Sequence, residues 1–192
     1  MSASAALNTV LKAIDERAHG RVIADYEAAP RGASLPLDGA RQVVLVGHRA
    51  AGKSRVLPIL AELIGREAID LDRELGRMHR RDLREWVASD PASFRAAERA
   101  AFAALPPGRI VAVGGGFWFH NPDALEGHVV VQVPVSFRTY RERLLADTSR
   151  PRLVSDVSLE EEIRTVYRAR EIAYRTLPHR TLGAFVAAVE RR

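Results

Sequence analysis

A chain of 192 residues, 47% apolar and 28% charged, has the size and composition of one α/β domain able to bury a substantial core. It contains no Cys, which excludes disulfides, thiolate catalysis and thiolate zinc sites and fits a cytoplasmic address. The net charge of +5 sits on Arg residues dispersed among Asp and Glu, which points to solvated helix faces and away from nucleic acid; no run approaches a membrane span, and no basic-then-apolar signal layout opens the chain.

Residues 1 to about 40 read as an extension. Leu7, Val10, Leu11 and Ile14 keep helical spacing, so a short amphipathic helix is expected there, followed by a linker over 27–36 with two Pro and a Gly. The extension packs on the domain edge, forms a loose arm or binds a partner; periodicity does not choose. From residue 41 to 192 strands and helices alternate. Val43–Val46 is a strand, and Leu57, Leu60, Ala61 and Ile64 mark the helix after it. A short strand over 67–70 precedes helical patterns at about 73–88 and 91–104, the second opened by Asp90-Pro91, an N-cap with Pro at the first helical position. Strands follow at 109–113, running into Gly114-Gly115-Gly116, and at 128–133, with a helix over about 136–146 behind the latter. A polar, Pro-containing stretch at 147–157 has the look of a lid, and a long helix spans about 158–175. Near the end, Leu182, Phe185, Val186 and Val189 fit a helix, while 180–186 fits a last strand equally well. Apolar strands separated by helices predict a parallel sheet covered on both faces.

Between the first strand and its helix lies Gly47-His48-Arg49-Ala50-Ala51-Gly52-Lys53-Ser54, a complete Walker A phosphate-binding sequence. Such a loop works at this junction because backbone N–H groups converge on phosphate oxygens and the helix N-terminus adds positive potential. Lys53 is expected to reach the β- and γ-phosphates, and the Ser54 hydroxyl to bind Mg²⁺. Lys12 and Lys53 are the only lysines among 29 basic residues, so a Lys in this slot marks chemistry rather than habit. Ligands gather at the carboxyl ends of strands in an open parallel sheet. Besides the loop, Asp70 and Asp72, the triple glycine and the 147–157 stretch with Arg150 and Arg152 all fall at that edge.

At these residues, over about 41–175, the chain resembles the shikimate kinase family of small P-loop kinases. The resemblance implies a three-layer α/β/α fold with a central five-stranded parallel sheet, ATP and Mg²⁺ as cofactors, a small hydroxy acid as acceptor, and a monomeric enzyme without nucleic-acid or membrane partners. It implies that Gly47, Ala50, Ala51, Gly52, Lys53, Ser54 and Arg55 hold nucleotide, that Ser54 and Asp70 serve Mg²⁺, and that Asp72 binds the acceptor hydroxyls and acts as base. Phe94 and Arg95, followed by Glu98, match the family's Phe-Arg…Glu segment, with Arg95 on the acceptor carboxylate. Trp86 matches an aromatic beside the acceptor ring, Gly114, Gly115 and Gly116 the triple glycine that contacts substrate, and Arg170 the second carboxylate-binding Arg. Arg150 matches the lid Arg on the transferring phosphate, and Arg143 an Arg packed near adenine. Positioning and charge stabilisation are what phosphoryl transfer needs.

The chain departs from the family at several places. Arg49 stands where an apolar residue is usual, Arg55 where Thr is, and Arg152 where the lid carries Leu. Asp90-Pro91 replaces a Gly-Glu, Glu171-Ile172 replaces an Asn-Pro, and neither a last strand nor an adenine loop is evident. Three functions therefore stand: transfer from ATP to the 3-hydroxyl of shikimate, transfer to another hydroxy acid or polyol of greater negative charge, and ligand sensing without turnover.

Overall fold

The computed structural model describes residues 4–32, 35–147, 152–154 and 156–191. Five segments form one all-parallel sheet: β1 (Val43–Val46), β2 (Ala68–Asp70), β3 (Ile110–Ala112), β4 (Val129–Gln132) and β5 (Arg180–Thr181), in the order β2-β3-β1-β4-β5. β1, β3 and β4 are buried along their whole length, which is why they read as unbroken apolar runs. Side chains alternate across the sheet. Val43, Leu45, Ile110, Ala112, Val129 and Val131 enter one core, and Val44, Val46, Val111 and Val130 enter the other.

The first core is closed by α1 (Ala5–Ala13), α2 (Glu16–Ala28), α3 (Lys53–Ile64), α8 (Phe137–Ala146) and α10 (Leu182–Glu190). The second is closed by α4 (Leu71–His79), α5 (Leu83–Ser89), α6 (Pro91–Ala103) and the single turn α7 (Phe117–His120). The long helix α9 (Leu159–Thr176) gives Ile163 and Tyr167 to the first core and Tyr174 to the second.

Three stretches differ from their sequence reading. The helix expected over about 73–88 is two helices, because Arg80 takes φ +49° and ends α4, and the Asp82 carboxylate accepts from the Arg84 and Glu85 N–H groups at 2.7 and 3.2 Å to start α5. The ambiguous C-terminus is both things in turn: β5 is two residues long and passes straight into α10, whose N-cap is Thr181. Residues 16–28 form a helix that periodicity did not announce, capped by the Asp15 carboxylate on Arg17 N–H at 2.9 Å.

The N-terminal helices share the main core. Leu7, Val10, Leu11, Ile14, Ala18 and Val22 are buried in the same cluster as Val43, Leu45 and Leu60. α2 lies so close to α10 that a Cβ on Gly183 would meet the Val22 carbonyl oxygen at 2.1 Å. Ser4 Oγ and Tyr26 OH both donate to Glu190 Oε2, at 2.6 and 2.9 Å. Among the described residues no helix is long and apolar enough to cross a membrane.

Candidate active site

The loop after β1 turns on two left-handed residues, Ala50 at φ +60° and Gly52 at φ +91°. Gly52 is the N-cap of α3 and supplies no side-chain cap, so the first turn of the helix presents its N–H groups to the cavity. Ala50 is the costlier of the two, since a Cβ in this region strains the backbone by roughly 1–2 kcal/mol. Arg143 Nη1 donates to the Ala50 carbonyl at 2.6 Å and holds that turn in place. Lys53 Nζ donates to the Gly47 and His48 carbonyls at 3.0 and 2.9 Å, which keeps the ammonium at the mouth of the loop.

These groups border a cavity of about 790 Å³ at the carboxyl edge of the sheet. Of the residues named from sequence, Ala50, Ala51, Gly52, Lys53, Ser54, Arg55, Asp70, Asp72, Phe94, Arg95, Gly114, Gly115, Gly116, Arg143 and Arg170 line it. Gly47 contributes its carbonyl to Lys53 from behind the wall. Trp86 does not line the cavity. It is buried behind Phe94, ring edge to ring face at 5.7 Å, with the Arg81 guanidinium 4.6 Å over its ring, and Leu83, Arg84 and Val87 of the same helix take the cavity positions. Arg150 lies outside the described residues, as do its neighbours over 148–151.

At one end Ser54 Oγ donates to Asp70 Oδ2 at 2.6 Å, and Asp70 Oδ1 caps α4 through Arg73 N–H at 3.3 Å. Asp72 stands in the first turn of α4 and reaches the triple glycine. A Cβ on Gly114 would meet Glu98 Oε1 at 2.7 Å and Asp72 Oδ1 at 3.1 Å; on Gly115, the Arg49 backbone nitrogen at 2.8 Å; on Gly116, Arg95 Nη2 at 2.9 Å. The triplet therefore threads between the phosphate loop and the carboxylate and guanidinium groups, leaving no room for side chains.

At the other end two guanidinium groups converge. Arg95 Nη1 donates to Glu98 Oε2 at 2.7 Å. Burial pushes the Glu98 carboxyl up, Arg95 draws it down and Asp72 pushes it up again, with a net rise. Arg170 is buried with Nη1 lacking a partner, and burial lowers its pKa, reinforced by the positive fields of Arg49 and Arg95. A buried donor on a cation, aimed into a cavity beside a second guanidinium, is a built place for an anion.

Arg49 and Arg152, which suggested a more anionic acceptor, meet at one carboxylate. Glu162 on α9 is buried, takes Arg49 Nη2 at 3.4 Å and Arg152 Nε, and accepts from Leu153 N–H at 3.0 Å. Burial raises the Glu162 pKa, but Arg152 and the backbone N–H groups outweigh it and hold the group below the ordinary range. The extra positive charge is thus largely matched within the protein. Glu162 carries no sequence signal, because its partners stand over 100 residues and ten residues away. Glu98 was readable as an i,i+3 partner of Arg95 on one helix. His48, stacked on Tyr167 at 4.4 Å and bonded to Glu171 Oε1 at 2.9 Å, sits inside the loop motif at a position the motif leaves open.

The sequence model of the shikimate kinase family matches residues 49–185. A shikimate kinase of Thermobifida fusca is 33% identical over 146 residues, covering 73% of this chain and 83% of that protein. Among solved structures, the shikimate kinase of Acinetobacter baumannii in complex with shikimate superposes with a TM-score of 0.65 at 28% identity, covering 79% of this chain and 90% of that one. The shikimate kinase of Aquifex aeolicus superposes at 0.60 with 21% identity over 74% and 86% of the two chains, a likeness of fold. The matched stretch starts inside the phosphate loop, so α1 and α2 lie outside it.

Proposed function

This chain belongs to the shikimate kinase family, and from that premise we propose that it transfers the γ-phosphoryl group of ATP to the 3-hydroxyl of shikimate, giving shikimate 3-phosphate and ADP. The observation that carries the acceptor assignment is the buried Arg170 with an unpartnered Nη1, close to Arg95 in the cavity that the triple glycine and the phosphate loop also line. Two guanidinium forks on one carboxylate fix both distance and plane, so the acid end of a hydroxy acid is anchored and its hydroxyls are turned toward Asp72.

Residue roles follow from that layout. The loop N–H groups and Lys53 hold phosphate oxygens, and Arg143 stands at the nucleoside end. Asp72 accepts a hydrogen bond from the acceptor hydroxyl and takes its proton as the oxygen–phosphorus bond forms and the bond to the ADP oxygen breaks. Glu98 is a positioning residue that fixes Arg95. Arg150 on the lid is proposed to neutralise charge on the transferring group. Trp86 supports the ring pocket through Phe94 rather than by contact.

Ser54 Oγ and the Asp70 carboxylate form a small oxygen pair at the phosphate loop, and among the described residues no cluster of three or more His, Cys, Asp or Glu is placed to hold a metal. That sparse set fits Mg²⁺, which binds through one or two protein oxygens and completes its shell with water and substrate phosphates. When bound, Mg²⁺ offsets phosphate charge. The same reading takes the protein as a cytoplasmic monomer, with residues 1–40 joined to a catalytic domain over 41–192, acting on ATP and a small acid and on neither nucleic acid nor membranes.

The test is coupled ADP release with MgATP, with and without shikimate, and Lys53→Ala as blank. Shikimate-dependent turnover in the wild type, lowered by roughly 10²-fold or more in the variant while its fold is retained, is expected from loss of a phosphate-binding charge. Intact ATP binding without shikimate-dependent turnover would overturn the acceptor, and near-normal turnover in Lys53→Ala would overturn the phosphate-loop assignment.

A further inference from the structure

The cavity has an acceptor end at Asp72, Arg95 and Arg170 and a phosphate floor at the loop. If a γ-phosphoryl group is to lie between floor and acceptor, the nucleoside must extend the other way, toward Arg143 and the C-terminal end of α8. What stands there is the corner between α1 and α2. The Ala13 carbonyl is 3.8 Å from the position of a Cβ on Gly52. Asp15 accepts from Thr139 Oγ1 at 2.9 Å and faces Arg143 Nη2 at 3.9 Å, and Arg143 in turn donates to the Ala50 carbonyl. Thr139 and Arg143 are one turn apart on α8, so a single carboxylate from the extension engages one face of that helix.

A second observation bears on the same place. β5 runs directly into α10, so no connecting loop leaves the end of the last strand, and α10 is pressed instead against α2 at Gly183. The chain after β5 therefore does not loop over this edge of the sheet, and the N-terminal corner stands behind it, against the phosphate loop through Ala13 and against α8 through Asp15. This corner lies outside the stretch that matches the family.

We infer that the Ala13–Asp15 corner backs the nucleoside end of the site from behind Gly52 and Arg143, with Asp15 as a positioning residue that holds Arg143 against the nucleotide. The inference rests on the kinase reading above. Burial works against the Asp15 charge, but the Arg17 N–H, the Thr139 hydroxyl and Arg143 together hold its pKa below the usual carboxylate range, so it is ionised when it meets Arg143.

Asp15→Asn keeps an N-cap for α2 and removes the charge, and Asp15→Ala removes both. Binding is read by calorimetry with MgATP and with inorganic tripolyphosphate, which lacks the nucleoside, alongside KM for ATP and for shikimate. In Asp15→Asn the Kd and KM for ATP should rise about fivefold, the scale of a partly exposed charge pair, with tripolyphosphate and shikimate constants within about twofold. Asp15→Glu should recover part of the loss. Unchanged ATP binding in both Asn and Ala variants, or equal weakening of ATP and tripolyphosphate, would overturn the inference. So would a wild-type chain that binds no ATP. Wild-type protein that binds MgATP but leaves shikimate untouched would count against the proposed acceptor alone, because the ATP constants still decide on Asp15.

Discussion

Arg170 shows how a single residue gives up stability for function. Its guanidinium is buried, one nitrogen has no partner, and burial lowers its pKa, all of which the folded protein tolerates without a ligand. Replacing it by an apolar side chain of similar length removes that unfavourable desolvation. Arg170→Met should therefore melt higher than the wild type, by roughly 2–16 °C, since relieving a buried unmatched charge is worth about 1–4 kcal/mol, at about 2–4 °C per kcal/mol in a domain of this size. The same variant should lose the rise in melting temperature that shikimate gives the wild type. Thermal melts with and without shikimate check both halves, and a lower melting point for Arg170→Met would show that the guanidinium is better satisfied than its surroundings indicate. Residues of this kind were legible to different degrees. Lys53 stands out by composition alone. Arg170 is one Arg in an Arg-rich helix, and only a family pattern separates it from Arg168 or Arg175. Trp86 faces inward as an aromatic at that spacing should, but helix α5 turns it into the core behind Phe94, a rotation set by the break at Arg80.

At the scale of elements, the glycine triplet separates contacts that can give from contacts that cannot. A Cβ on Gly115 would press on the Arg49 backbone nitrogen at 2.8 Å and the His48 carbonyl carbon at 3.2 Å, both in the phosphate loop, whereas one on Gly116 meets the tip of the Arg95 side chain at 2.9 Å. Backbone held by a strained turn has little freedom; a guanidinium can swing. Gly115→Ala should therefore displace the loop and cost at least about tenfold in kcat/KM for ATP, the effect of roughly 1.4 kcal/mol at the transition state. Gly116→Ala should chiefly raise KM for the acceptor through Arg95. Steady-state kinetics with each substrate varied in turn separate the two, and the reverse pattern would show that the loop is the softer neighbour. The strands β1 to β4, the phosphate loop, α6 and α9 were readable, because apolar runs, caps and a strong apolar stripe leave marks in sequence; β5, two residues long, was not. Two features left none. Arg80 adopts a left-handed conformation with no Gly or Asn to flag it, and α2 buries mainly Ala18 and Val22, too few apolar positions for a visible stripe.

For the molecule as a whole, histidine titration contributes to stability near neutrality, chiefly through buried His48. Burial lowers the pKa of His48, against the pull of Glu171; it also lowers those of half-buried His128 and of His120 at the surface, where solvent screening leaves little effect on stability. The folded state keeps these rings neutral while the unfolded chain protonates them near 6.5, so the unfolded state binds more protons as pH falls. Stability from this source is complete above the unfolded value and is lost as pH drops through 6.5 toward the folded values, at up to about 1.4 kcal/mol per pH unit for each proton. Buried Glu98 has the opposite sign: its stabilisation is lost as pH rises from the ordinary carboxyl value through its raised folded value, so it works against the histidine trend. The melting temperature should fall from pH 7.5 to 5.5, and His48→Gln, which keeps a donor for Glu171, should flatten that slope; an equal slope in the variant would assign the effect to the other histidines. A different consequence comes from the contact between α2 and α10, where Val22 meets Gly183 and Tyr26 meets Glu190. These partners are separated by nearly the whole chain, so during synthesis the helix made among the first must wait for one made among the last. The part of the first core that α10 covers stays open to solvent until then, which makes the closing of this core a late event on the ribosome and the growing chain a natural client for a chaperone.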